Sequence, residues 1–120
     1  MEYEIKSSEV GDVFVVVMEG QGTESSVREI VGRCYEMMSE SSKEKVLVDI
    51  RQIAGRVSLP SVYHLFRNLP RRPPEKTKTA ILDLLENRGW EEFMATTAFN
   101  VGVRFRNFYD FDEAMSWLNR

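Results

Sequence analysis

Cysteine, histidine and long apolar runs are scarce in this chain, and each shortage removes a class of function. Cys34 is the only cysteine in 120 residues and has no partner for an internal disulfide. His64 is the only histidine, so a conventional Cys/His metal site is not available. No structural zinc is expected, and no cofactor is implied. The longest apolar run, Val13 to Met18, falls far short of the roughly 20 residues that cross a bilayer. The acidic opening Met1-Glu2-Tyr3-Glu4 lacks the basic and apolar regions of a signal peptide. A cytoplasmic protein, not integral to a membrane, is therefore expected. A basic excess is missing as well: the net charge is −3, which argues against nucleic acid as a partner.

What is present is ordinary globular material, with 42% apolar and 29% charged residues and no tract polar enough to stay disordered. Residues 1–120 are read as a single domain with one core. Tyr3-Glu4-Ile5-Lys6 and Val13 to Met18 read as two strands of a hairpin around Glu9-Val10-Gly11-Asp12. The first alternates like an edge, and the second is apolar throughout, like a strand covered on both faces. Ser26-Val27-Arg28-Glu29 has the spacing of a capping box. The stripe Val27, Ile30, Val31, Cys34, Met37 and Met38 then predicts a helix with Cys34 as a core thiol.

Val46 to Ile50 reads as a buried third strand. Ser58 is placed to cap a second helix, with Pro60 in its first turn and Val62, Leu65, Phe66 and Leu69 inside. Pro70 to Lys76 is an exposed loop by its prolines and charges. Thr79 to Leu82 is a fourth strand, followed by a helix with Trp90, Phe93, Met94, Thr97, Ala98 and Val101 on one stripe and Gly102 as its C-terminal cap. Val103 to Phe108 alternates as a fifth strand, and Asp110-Phe111-Asp112-Glu113 caps a terminal helix anchored by Trp117 and Leu118. The expected order is ββαβαβαβα: an α/β fold with a mixed, mostly parallel five-stranded sheet and about four helices.

Few residues offer chemistry. Asp49 and Asp83 fall at C-terminal ends of expected strands, where open α/β sheets place ligands, and Arg51 is near enough in sequence to join them in a cleft. Two carboxylates there would allow acid–base work, and solvated turn residues would carry the same letters. Gly20-Gln21-Gly22-Thr23-Glu24-Ser25 lacks the third glycine of a dinucleotide fingerprint and the spacing of a P-loop, so it reads as a flexible turn. His64 has no Ser/Asp or Cys constellation around it. The Pro-x-x-Pro spacing of Pro70 to Pro74 suits a groove-binding segment or a plain connector. The methionines and aromatics supply volume able to surround an acyl chain or simply to fill a core.

The stretch Asn100-x-Gly102-Val103, followed by Phe108-x-Asp110-x-Asp112-Glu113-Ala114-x-x-Trp117-Leu118, resembles the SpoIIAA-like family, and Val46-Leu47-Val48-Asp49 is similar to that family's central strand. The resemblance implies a STAS-like fold, related to bacterial anti-sigma-factor antagonists and more distantly to CRAL-TRIO lipid-transfer domains. In phosphorylated antagonists a serine at the start of the helix after this strand is modified, and Ser58 holds the similar place. There the antagonists carry an Asp-Ser-Ser-Gly type motif, and this chain reads Gly55-Arg56-Val57-Ser58-Leu59-Pro60. The functional expectation is a non-enzymatic regulatory or ligand-binding module, with a protein partner or a small apolar ligand. Its alternatives are a carrier of a small apolar or lipid ligand and a small enzyme built on Asp49, Arg51 and Asp83. An exposed edge strand would also allow a homodimer.

Overall fold

Two strands open the chain, β1 (Tyr3–Val10) and β2 (Val13–Gln21), joined by a two-residue turn in which Gly11 takes a left-handed φ of 60°. The computed structural model describes residues 3–69 and 72–120; Met1 and Glu2, and Pro70 and Arg71 of the expected loop, lie outside the described residues. After the hairpin come α1 (Glu24–Ser41), β3 (Lys45–Ala54), α2 (Leu59–Arg67), β4 (Lys78–Leu82), α3 (Arg88–Asn100), β5 (Arg106–Phe108) and α4 (Phe111–Leu118). This is the expected order. The strands lie in sequence order across the sheet, with β1 antiparallel to β2 and every later pair parallel.

The alternation of side chains along each strand divides the core in two. Val13, Val15, Leu47, Ala80 and Leu82 point to one face and pack against Ala114 and Leu118 of α4. Phe14, Val16, Met18, Val46, Val48 and Ile50 point to the other and meet Ile30, Cys34 and Met38 of α1. Beside α1 lies a third cluster, in which Val62 and Phe66 of α2 pack against Met94 and Ala98 of α3. From Val13 to Met18 the second strand is apolar because both of its faces are covered there, whereas β1 is an edge.

Local signals set most boundaries. Ser58 caps α2 by accepting from the Ser61 amide at 3.3 Å, and Asp110 caps α4 by accepting from the Glu113 amide at 3.0 Å. The start of α1 differs from expectation. Thr23, in extended backbone geometry, is the cap and accepts from the Ser26 amide, so the helix begins at Glu24 and Ser26 is buried in its first turn. The fifth strand is also shorter than its alternation suggests. Only Arg106–Phe108 pair with β4, while Val103 is drawn into the α2–α3 cluster before the chain reaches the sheet. Phe93, expected on the inner stripe of α3, is exposed, and Glu91 takes the inner place. Among the described residues no helix is long and apolar enough to cross a membrane.

Candidate functional site

At the C-terminal edge of the parallel strands the sequence places Asp49, Arg51 and Asp83, and the fold separates them into two groups. Asp49 is in phase with Leu47 and so faces α4, whereas Asp83 follows Leu82 and turns to the opposite face, toward α3. Asp49 is buried and forms a fork with the half-exposed Arg51: Oδ1 accepts from Nε at 3.0 Å and Oδ2 from Nη2 at 2.9 Å. The backbone amide of Arg51 donates to the same Oδ1 at 3.0 Å. This hydrogen bonding to Asp49 raises Arg51 above its ordinary pKa. The register between β2 and β3 slips here, so that Ile50 and Arg51 together oppose Met18; this bulge bends the strand under the pair.

Asp83 is paired instead with Arg56, which no sequence motif marks. Gly55, with φ of 79°, turns the chain at the end of β3, and Arg56 folds back over the strand. Every N–H of its guanidinium is used. Nε and Nη2 donate to the Asp83 carboxylate, Nη2 also to the Ile50 carbonyl, and Nη1 to the carbonyls of Ile53 and Gly55. The same group lies 5.8 Å from the centre of the Trp90 ring, whose indole N–H donates to the Val57 carbonyl at 2.8 Å. Asp83 further accepts from the Leu84 amide and from the Asn87 side chain.

Glu91 completes this group. It is wholly buried, and no N–H or hydroxyl reaches either of its oxygens. Burial first, then its hydrogen bond and charge repulsion with Asp83, push its carboxyl up to about 9. Near neutral pH it is therefore a protonated acid that donates to Asp83. For Asp83 itself burial acts upward, but the hydrogen bonds from Glu91, Arg56, Leu84 and Asn87 outweigh it and hold the carboxyl below its ordinary value. The result is one ionised and one neutral carboxyl, tied to one guanidinium. They join the ends of β3 and β4 to α3, and neither carboxyl is exposed.

A separate opening is apolar. A partly enclosed cavity of about 110 Å³ lies between the sheet, α1 and the α2–α3 pair. Ile30, Cys34, Val48, Val62, Phe66 and Met94 contribute to its wall, and Arg56 and Arg104 reach it. The Cys34 thiol is buried beside Met38, and desolvation pushes it up to about 12, so it stays a neutral part of the wall. The cavity exists because α2 packs on α3 more than on the sheet, leaving a gap above Val48 and Ile81.

Ser58 lies apart from both features, exposed at the start of α2. Its hydroxyl donates to Ser61 Oγ at 3.1 Å, and Ser61 Oγ donates to the Glu24 carboxylate at 3.2 Å, a chain that links the first turns of α2 and α1. His64 is exposed on α2, with its ring against the edge of Tyr63.

The architecture is shared with solved proteins of low sequence identity. An anti-sigma factor antagonist from Mycobacterium paratuberculosis superposes with a TM-score of 0.67 at 10% identity, over 98% of this chain and 95% of that one. An uncharacterized DUF3478-family protein with a SpoIIAA-like fold from Shewanella loihica gives 0.57 at 19% identity, over 98% of this chain and 94% of that one. The protein TM1081 gives 0.55 at 13% identity, over 95% and 87%. The chain has a SpoIIAA-like, STAS-type α/β fold. No protein-family model matches the sequence, and no curated protein does.

Proposed function

We propose that this protein is a non-enzymatic, cytoplasmic STAS-like module that takes a small apolar molecule into the cavity between its sheet, α1 and α2. The observation that carries the reading is the wall itself. A cavity of about 110 Å³ bounded almost wholly by aliphatic, aromatic and thioether groups is a site where an apolar body gains free energy by leaving water. The alternative of a cleft enzyme has less support, because Asp49 with Arg51 and Asp83 with Arg56 face opposite sides of the sheet and each carboxylate is already saturated by its own arginine.

The test is a titration with 1-hexanol followed by the methyl signals of Met18, Met38 and Met94, which line the cavity from β2, α1 and α3. Saturable shifts confined to these methyls support the reading. Unchanged signals up to the solubility limit of the alcohol end it.

One observation favours a second reading, a protein-interaction switch at Ser58. Its hydroxyl is exposed and closes the Ser58–Ser61–Glu24 chain between two helix starts. A phosphate on Ser58 would gain from the α2 amides, lose against the Glu24 carboxylate, and so loosen the first turns of α1 and α2 from one another. Native mass spectrometry of protein taken from its own cells reads this directly: phosphate on Ser58 supports the switch. Its absence under all growth conditions, with partner capture unchanged in Ser58→Ala, removes it.

A further inference from the structure

One long edge of the sheet stands open. Strand β1 runs eight residues, pairs with β2 without a bulge and carries no proline, and no strand lies on its other side among the described residues. Short length, proline, bulges and charge are the devices that keep such an edge from pairing. Only charge is present here, in Glu4, Lys6 and Glu9, and it is of both signs: Glu4 lies 3.3 Å from Lys6 along the strand.

The hairpin turn decides which backbone groups face outward. Val10 and Val13 flank the two-residue turn at Gly11 and close it as a hydrogen-bonded pair, so the amide and carbonyl of Val10 point to β2. Alternation along an antiparallel ladder then turns those of Glu9, Ser7, Ile5 and Tyr3 away from β2, into the open edge. A second β1 strand, antiparallel across a two-fold axis, can only set outward residues opposite outward residues. Centring that axis on Glu4, Lys6 or Glu9 opposes like charges, and centring it on Ser7 or Ser8 leaves Lys6 opposite a neutral residue. Centred on Ile5, it sets Glu4 opposite Lys6 twice, at the closer, non-hydrogen-bonded positions. Tyr3 and Ile5 lie on the face that packs against the α1 cluster, so the same register continues that apolar face across the axis.

We propose that this edge is a homodimer interface, in which two β1 strands pair antiparallel about Ile5 and Glu4 of each protomer meets Lys6 of the partner subunit. The two five-stranded sheets then form one continuous sheet.

Sedimentation equilibrium of the whole chain from about 10 µM to 1 mM at low salt tests this, with a reversible monomer-dimer equilibrium as the expected result. Lys6→Glu sets carboxylates opposite one another at both contacts and is expected to weaken association about tenfold or more. Adding Glu4→Lys to that variant reverses each pair and is expected to restore the dimer, and about 0.5 M salt is expected to weaken both dimers. Both side chains are exposed, so the variants keep the fold, which far-UV circular dichroism checks. A chain monomeric over the whole range, or a dimer indifferent to Lys6→Glu, overturns the interface. A double variant that stays as weak as Lys6→Glu overturns the register about Ile5.

Discussion

Arg56 and Asp83 meet at the C-terminal edge of the sheet, where a guanidinium 9% exposed forks onto a carboxylate 0% exposed. One group comes from the turn after β3 and the other from the end of β4, so the pair joins two strands and, through Glu91, α3. Removing one partner from such a pair strands a buried charge, at a cost of about 3–5 kcal/mol. Arg56→Met is expected to destabilise the protein by that amount in urea unfolding. The double variant with Asp83→Asn is expected to recover part of the loss, because the stranded charge is gone. A loss below about 1 kcal/mol in Arg56→Met would show that the pair does not anchor this edge.

Glu91 makes stability depend on pH in a direction opposite to the usual carboxylate. Its folded pKa is raised to about 9 from an ordinary 4.5, so between those values the folded protein holds a proton that the unfolded chain has released. Stability therefore falls as pH rises through that window, by up to about 1.4 kcal/mol per pH unit, and levels off above it. Asp83 acts at the acid end. Its folded pKa lies below 3.8, so its contribution is complete above 3.8 and is lost as pH falls through the folded value. Urea midpoints for the wild type are expected to decline from pH 5 to pH 8, and Glu91→Gln is expected to flatten that decline. Parallel curves for the two proteins would remove Glu91 as its source.

The division between what could and could not be read from the letters follows from how each feature is encoded. Elements were legible because periodicity and caps are local: the stripe through Ile30, Cys34 and Met38, the cap at Ser58 and the box at Asp110 are each written within a few residues. The candidate site was legible only as positions. Asp49 and Asp83 do lie at strand ends, but the face each takes depends on its phase against Leu47 and Leu82, and the partner of Asp83 comes from 27 residues away. Glu91 left a faint signal, an acid three residues before Met94 on the apolar stripe of α3. The cavity left none, since a methionine or valine has the same letter whether it fills a gap or borders one. The docking of α2 on α3 decides that, and it is tertiary.

Gly22 and Gly32 should respond in opposite senses to the same change. A Cβ on Gly22 would stand 2.5 Å from the carbonyl oxygen of Gly55, a backbone contact at the turn that carries Arg56. Gly22→Ala is therefore expected to cost about 1–3 kcal/mol through the shift it forces. Gly32 lies inside α1 with nothing within 4 Å of the added carbon. Gly32→Ala should stabilise the protein by about 0.5–1 kcal/mol by lowering the entropy of the unfolded chain. Thermal or urea unfolding of both variants checks this. A neutral Gly22→Ala would mean that the turn at Gly55 moves freely.

Val62 and Val46 give the sharpest test of the cavity, because both are buried and only Val62 borders it. Lengthening Val62 to leucine puts a methylene into open space on a helix that favours leucine, and Val62→Leu is expected to gain about 0.5–1 kcal/mol. Val46, wholly buried in β3 between its neighbours, has no such space, so Val46→Leu is expected to lose about 1–3 kcal/mol by overpacking. The same Val62→Leu should weaken 1-hexanol binding several-fold while raising the urea midpoint, since the new methylene and the ligand compete for one volume. A variant that became more stable yet bound the alcohol as before would place the ligand somewhere other than this cavity.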